Sequence, residues 1–280
     1  MQKRTKRIIL FSSLVALIVI LIVWIIWSNT AITVSRYTVE SDRIPESFQG
    51  FRIAQISDLH NTQFGESNRD LLENLKNIAP DIIVITGDLI DSRNTDLEIA
   101  LHFAAEAVKI APTYYVTGNH EARISQYPEL EQGLKEAGVT VLKDEIRLLE
   151  RDGETIRLAG LTDTDFREQV SSEIWTEVIE NLPEPQCYTI MLAHNPALFP
   201  VLTHCGIDLA LTGHVHGGQF RIPFLGGVYG PGQGLFPQWD AGLYTEGSTH
   251  MIVSRGLGNS LFPFRVNNPP EIVVVELSCP

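Results

Sequence analysis

The chain has 280 residues, 44% hydrophobic and 20% charged, which leaves apolar surface for a sizeable core and excludes a disordered chain. Its 34 acidic residues outweigh 21 Lys and Arg for a net charge of -13, which argues against nucleic-acid binding, where affinity comes mainly from cations on phosphates. Three cysteines (Cys187, Cys205, Cys279) with no C-x-x-C spacing exclude a disulfide-dense scaffold and a zinc ribbon.

The first predicted element is an apolar run from Ile8 to Trp27, with no charge and two serines. As a helix it spans about 30 Å, the depth of a bilayer's hydrocarbon core. It is longer than the apolar part of a cleavable signal peptide and ends in Trp24 and Trp27, which suit a membrane interface. An uncleaved anchor is therefore expected. Lys3, Arg4, Lys6 and Arg7 precede it, and the SNTAITVSR stretch that follows has one Arg. Positive charge favours the cytoplasmic side. The expected organisation is a cytoplasmic basic tail (1–7), a transmembrane anchor (8–27) and an extracytoplasmic domain (31–280), single-pass in the cell membrane.

After the anchor, AITVSRYTVE alternates apolar and polar residues and predicts a strand. A rhythm follows. Strands are predicted at 51–57, 81–87 and 113–118, each followed by a helix, near 66–78, 96–110 and 128–137. Short strands surround an Asp-Gly turn at 152–153, and a helix follows near Ser172–Asn181. Strands return at 188–194, 208–214, 251–256 and 271–277. Alternating elements with near-continuous apolar strands predict buried sheet covered by helices, and the extra strands suggest more than one sheet. The stretch 217–242 has no period and reads as a long loop.

Five of these strands run into the same kinds of residue. They are Asp58-Leu59-His60, Gly87-Asp88, Gly118-Asn119-His120-Glu121, His194-Asn195 and Gly213-His214-Val215-His216. Ligand sites in α/β sheets lie at the carboxyl ends of strands. Asp, Asn and His together suit Mn, Fe or Zn ions. Asp58, His60, Asp88, Asn119, His194, His214 and His216 make seven candidate ligands. That is too many for one tetrahedral ion with an open position, and it fits two divalent ions sharing a carboxylate.

The order D-x-H, G-D, G-N-H-[D/E], H, G-H-x-H closely resembles the calcineurin-like metallophosphoesterases. ISDLH, ITGDLID, VTGNHE and TGHVHGGQ resemble the bacterial, membrane-associated YkuE- and YaeI-like branch of that superfamily. The resemblance covers nearly all of residues 31–280 and implies a four-layer α-β-β-α sandwich after the transmembrane helix. It implies that Asp58, His60, Asp88 and His216 hold one metal, and that Asp88, Asn119, His194 and His214 hold the other, with Asp88 bridging. It also implies that His120 is catalytic, protonating or stabilising the leaving oxygen. Glu121 stands where the family more often has Asp, which leaves its partnership with His120 open.

The expected activity is hydrolysis of a phosphodiester or pyrophosphate bond by a hydroxide shared between the metals, in a lipid- or nucleotide-linked substrate. The alternatives are a protein or small-molecule phosphomonoesterase and a non-catalytic metal-binding scaffold. The substrate-binding residues are open. Arg221, Arg255 and Arg265 are candidate phosphate contacts. The aromatic loop 219–239 could rim the metal site, and LFPFRVNNPP (261–270) could form a second apolar surface near the membrane. A Cys187–Cys205 disulfide is conceivable in an extracytoplasmic domain. His102, His204 and His250 fit no motif.

Overall fold

The computed structural model describes residues 2–167, 172–180 and 187–280. The apolar run lies within one helix, α1 (Gln2–Thr30), about 44 Å long at 1.5 Å per residue. Residues 8–27 are exposed throughout, since no other described part of the chain covers them. The helix is long and apolar enough to cross a membrane. Met1, at the start of the predicted tail, lies outside the described residues.

Only Ala31 and Ile32 separate α1 from the first strand, β1 (Thr33–Glu40). The predicted rhythm then appears as β2 (Arg52–Ile56), α2 (Arg69–Ile78), β3 (Ile82–Thr86), α3 (Leu97–Ala107) and β4 (Thr113–Val116). The Asp96 carboxylate starts α3 by accepting from the backbone N–H groups of Glu98 and Ile99. A helical turn α4 (Asn119–Ala122), helix α5 (Tyr127–Glu136) and strand β5 (Thr140–Val141) follow. Strands β6 (Glu145–Arg151) and β7 (Glu154–Gly160) pair about the Asp-Gly turn. Helix α6 (Ser172–Glu180), β8 (Thr189–Leu192), α7 (Phe199–His204) and β9 (Leu209–Thr212) complete the middle of the chain. The predicted end of α6, Asn181, lies outside the described residues.

The 217–242 stretch is more ordered than its sequence suggests. It holds two minimal hairpins, β10 (Arg221–Ile222) with β11 (Gly226–Gly227) and β12 (Tyr229–Gly230) with β13 (Gly234–Leu235). A strand with no sequence signal, β14 (Gly242–Glu246), pairs with β15 (Thr249–Val253), and β16 (Glu271–Ser278) closes the chain. The β14 side chains are mostly exposed, so no apolar period marks it.

Two six-stranded sheets result, ordered β1-β16-β2-β3-β4-β5 and β14-β15-β9-β8-β7-β6. Their strands are apolar on both faces, and alternate side chains enter different cores. Ile53 and Val84 point between the sheets, where they meet Ile190 and Leu211. Ala54, Ile83 and Ile85 point outward under α2, α3 and α5, against Leu71, Phe103 and Leu130. On the other side, Met191, Ala210 and Met251 pack beneath α6 and α7 against Trp175 and Phe199. Three apolar layers thus separate helices, sheet, sheet and helices, the four-layer α-β-β-α architecture. Each fully buried Leu, Ile or Phe contributes about 1.5–3 kcal/mol, so these layers hold the loop-bearing strand ends firmly. The three cysteines are free thiols, so no Cys187–Cys205 bridge forms.

Candidate metal centre

Strands β2, β3 and β4 are parallel in the first sheet, and β7, β8, β9 and β15 are parallel in the second. Their carboxyl ends bring the five motif loops together. Backbone bonds tie the loops to one another: Asp58 N–H donates to Gly87 O, His60 N–H to Asp88 O, and Gly213 N–H to His194 O.

Close approach at this edge requires glycine. Gly87 has φ +86°, and a Cβ there would lie 2.7 Å from Gly118 Cα and from His194 Nδ1. Non-glycine residues are strained here as well. Asp58, His60, Asp88, His214 and His216 all have φ between 47° and 70°. Left-handed backbone costs an L-residue about 1–2 kcal/mol each, so five cases among seven candidate ligands mark a place where function overrides local preference.

The seven side chains converge in two sets. Asp58, His60 and His216 offer atoms all within 4.8 Å of one another, as do Asp88, His194 and His214. In the first set, His60 Nε2 and His216 Nε2 are 3.1 Å apart, and Asp58 Oδ1 is 3.4 Å from His216 Nε2. In the second, Asn119 Oδ1 is 2.9 Å from His214 Nδ1 and 3.1 Å from His194 Nε2. Asp88 Oδ2 lies between them, 3.6 Å from His60 Nε2 and 3.2 Å from His194 Nε2.

Divalent cations fit this arrangement. With its oxygen inward, the Asn119 amide faces only the lone pairs of Asp88, His194 and His214, while its NH2 meets the Arg123 guanidinium. Hydrogen bonding alone favours the reverse orientation, and a cation among those lone pairs favours the oxygen. The surrounding bonds orient donors inward. Ser57 Oγ–H and the His214 N–H donate to the Asp58 carboxylate. His194 Nδ1 lies 2.8 Å from Thr86 O, so its N–H is used there and Nε2 keeps a lone pair for the cluster. Arg265, wholly buried, sets its guanidinium 3.3 Å from His216 Nδ1 and donates to Gly258 O.

Charge points the same way. Burial brings His60 and His214 down to about 3 and holds His216 well below the ordinary imidazole range, the neutral form a metal ligand needs. Burial pushes Asp58 up to about 6, against the pull of His194. It also opposes charge on Asp88 and His194, but their attraction across 3.2 Å outweighs it and keeps Asp88 well below, and His194 well above, the usual range.

His120 lies beside the clusters, its ring 4.4 Å from that of His60. The Ser92 N–H donates to Nδ1 at 3.0 Å, which leaves the ring proton of a neutral His120 on Nε2, 3.2 Å from Ser260 Oγ. Asp91 Oδ1 stands 3.5 Å from Nδ1. Glu121 is not its partner. The buried Glu121 carboxylate instead accepts from the backbone N–H groups of Gly118 (2.7 Å), Asp88 (2.9 Å) and Leu89 (2.8 Å), tying the loop after β3 to the loop after β4. Burial and the Asp88 charge push it up to about 7, opposed by those donors.

A cavity of about 340 Å³ opens beside Asp88, Asn119, His120, His214 and His216. The candidate phosphate contacts from sequence do not line it. Arg221 donates to Gly217 O and pairs with Asp240, Arg255 pairs with Glu271, and Arg265 is buried behind His216. Arg93 and Arg123 line it instead, with Tyr229, Ser260 and Leu261. Asp91, Ser92 and Arg123 could have been found by their closeness to the Gly-Asp and Gly-Asn-His motifs. Nothing in the sequence marks Ser260. His102, His204 and His250 lie on helix ends, helix surface or hairpin, away from this edge.

Comparison with known proteins agrees with this geometry. The family described as calcineurin-like phosphoesterase matches residues 51–218, from β2 through the turn that carries His214 and His216. The uncharacterized metallophosphoesterase YkuE of Bacillus subtilis is 30% identical over 251 residues, 88% of this chain and 85% of the relative. Phosphodiesterase YaeI of Escherichia coli is 29% identical over 239 residues, 81% of this chain and 82% of the relative. A Bos taurus transmembrane protein with metallophosphoesterase domain is 30% identical over 257 residues, 87% of this chain and 56% of its own length.

Proposed function

The chain belongs to the calcineurin-like phosphoesterase family, in its YkuE- and YaeI-like branch, and is a metal-dependent phosphoric ester hydrolase; we propose that it is a membrane-anchored enzyme that cleaves a phosphodiester or pyrophosphate bond in a small-molecule or lipid substrate. The observation that carries this reading is the pair of donor sets meeting at Asp88.

In this proposal Asp58, His60, Asp88 and His216 hold one divalent ion, and Asp88, Asn119, His194 and His214 hold the second, each ion being Mn, Fe or Zn. Two such ions supply positive charge to the phosphoryl oxygens and lower the pKa of an attacking water. The chain's own residues do the rest. Arg93 and Arg123 sit on the cavity wall, where a guanidinium can grip phosphoryl oxygens in pairs. The Ser92 N–H on Nδ1 directs the proton of neutral His120 to Nε2, where it can hydrogen-bond to the departing oxygen and stabilise it, while full proton transfer would require the imidazolium, with Asp91 Oδ1 3.5 Å from Nδ1 to balance its charge. Ser260 Oγ occupies the acceptor position beside that proton.

α1 is the anchor in this reading, with residues 1–7 in the cytoplasm and residues 31–280 outside, because the basic residues cluster before the apolar run. The transmembrane relative and the exposed apolar helix support membrane association.

The test is hydrolysis of bis-p-nitrophenyl phosphate and p-nitrophenyl phosphate by the full chain in detergent micelles, with Mn²⁺, Zn²⁺ or Fe²⁺ or with chelator, beside Asp88→Ala. We expect metal-dependent cleavage, faster on the diester. The variant should lose bound metal and roughly a thousandfold in rate. Full activity of Asp88→Ala, or a metal-independent rate, overturns the assignment.

A further inference from the structure

The anchor enters the fold at the end that carries the metal centre. β1 is parallel to β16, and β16 is antiparallel to β2, so β1 begins where β2 ends. Thr33 opposes Glu271, and Val273 opposes Gln55, which sets Thr33 level with Ser57, the residue before Asp58. Two strand spacings, about 10 Å, separate them. With two residues between α1 and β1, the helix end has little freedom to swing away.

Side chains fix the junction further. Asn29, in the last turn of α1, accepts from Arg265 N–H at 2.8 Å and donates to Arg265 O at 3.0 Å. Asn259 donates to the same Asn29 oxygen. The segment gripped this way, 259–266, also lines the cavity through Ser260 and Leu261. It continues through a Phe220–Val266 bridge into the β10–β11 hairpin. One layer of chain thus joins the helix end, the cavity mouth and the hairpin tip.

That layer is apolar where it should be wet. Leu261 is 60% exposed and Leu225 67%, and Phe224, Phe236, Phe262 and Phe264 are exposed beside them. Phe224 stands at the hairpin tip with φ 68°, a strained place for an aromatic residue with no described neighbour to bury it. The two segments are also free of negative charge. None of the 34 acidic residues falls in 215–239 or 247–270, and the arginines there are engaged within the fold, Arg221 by Asp240, Arg255 by Glu271 and Arg265 behind His216, so the rim is close to neutral. An acidic domain is repelled by anionic lipid, and this rim is a part of it where that repulsion is weak.

We propose that this rim is a bilayer-docking surface: with α1 in the membrane, the loops at 222–236 and 261–264 enter the interface of the adjoining leaflet, so that the metal cavity opens at headgroup level onto phosphoesters carried by lipids. The proposal rests on α1 crossing the bilayer, as read above. Exposed aromatic and aliphatic side chains on a nearly uncharged surface are the composition that settles at such an interface.

The test uses the full chain in vesicles of phosphatidylcholine and phosphatidylglycerol that contain doxyl-labelled phosphatidylcholine. In a background with Cys187→Ala, Cys205→Ala and Cys279→Ala, an environment-sensitive fluorophore is placed at Phe224→Cys, Phe264→Cys or Leu148→Cys. Leu148 is exposed on β6, the edge strand farthest from β14 in its sheet. Blue-shifted emission, quenched by doxyl lipid, is expected at the first two positions and absent at the third. Adding Asp at the remaining tip positions, as Phe224→Asp with Leu225→Asp, should shift the docked-to-undocked ratio seen at Phe264→Cys by at least about tenfold. Water-like, unquenched emission at both rim positions overturns the proposal, as does equal quenching at all three. Vesicle flotation and hydrolysis of bis-p-nitrophenyl phosphate are measured on the same samples. Failure to float sinks the anchor reading, and absence of metal-dependent hydrolysis sinks the phosphoesterase reading, while the quenching pattern reports docking on its own.

Discussion

Removing the Glu121 carboxylate should cost stability and metal binding together, without acting on the proton chemistry of His120. In Glu121→Ala, three buried backbone N–H groups, on Gly118, Asp88 and Leu89, lose the acceptor that holds them at 2.7–2.9 Å. Leaving a buried donor unpaired costs about 1–3 kcal/mol, so the loss is at least about 3 kcal/mol, with water entering the vacated space moderating the upper end. For a domain of this size that lowers Tm by roughly 6–12 °C. The same bonds fix the backbone of Asp88, so affinity at the shared position should fall with stability. The assay is thermal unfolding of the full chain in detergent with chelator present, which separates the hydrogen-bond effect from metal loss, followed by metal content after reconstitution. A change below about 1 kcal/mol refutes the clamp. So does a variant that keeps its stability and metal but loses rate as His120→Ala does, since that pattern makes Glu121 a partner in the chemistry.

His120→Ala should keep both metals and lose about a hundredfold or more in kcat on a substrate with a poor leaving group, with a smaller loss on nitrophenyl esters, whose leaving oxygen needs little proton help; equal losses on the two substrates would show that His120 does not serve the leaving oxygen. Burial pushes Glu131 up, but hydrogen bonds and attraction from Lys135 and Lys143 outweigh it and bring it down to about 2 from 4.5. Its folded value is depressed, so the stability it contributes is present above about pH 4.5 and lost as pH falls toward 2. Tm of Glu131→Gln should therefore fall below that of the parent at pH 7 and converge with it at the acid end, and a constant gap at all pH would refute the linkage. Protease added to intact cells should remove residues 31–280, whereas complete protection would reverse the proposed orientation.

Much of this protein is legible in one dimension. The run from Ile8 to Trp27 needs no tertiary partner to be read as a helix long enough for a bilayer, because length and the absence of charge decide it. The buried strands were readable because they are apolar on both faces, as at Ile83, Val84 and Ile85, and the motif loops because glycine and metal-binding side chains sit together at their ends. The hairpin strand β14 and the short helix α7 were not readable: the first is mostly solvent-facing, and the second is too short to show a period.

The roles of individual side chains divide in the same way. Residue type and order single out Asp58, Asp88 or His216, since few side chains present such donors. Which of two like residues faces the cavity is set by packing from elements far apart in sequence. Arg265 looks like a phosphate contact until the fold buries it behind His216, while Arg93 and Arg123 are ordinary surface cations until the loops after β3 and β4 set them on the cavity wall. Glu121 reads as a neighbour of His120 until the turn at Asn119–Ala122 points its carboxylate back at the Asp88 loop. That the apolar N-terminal helix and the candidate metal centre share one end follows from β1 lying beside β16 in a parallel pair, a pairing across more than 200 residues that no local pattern in the sequence encodes.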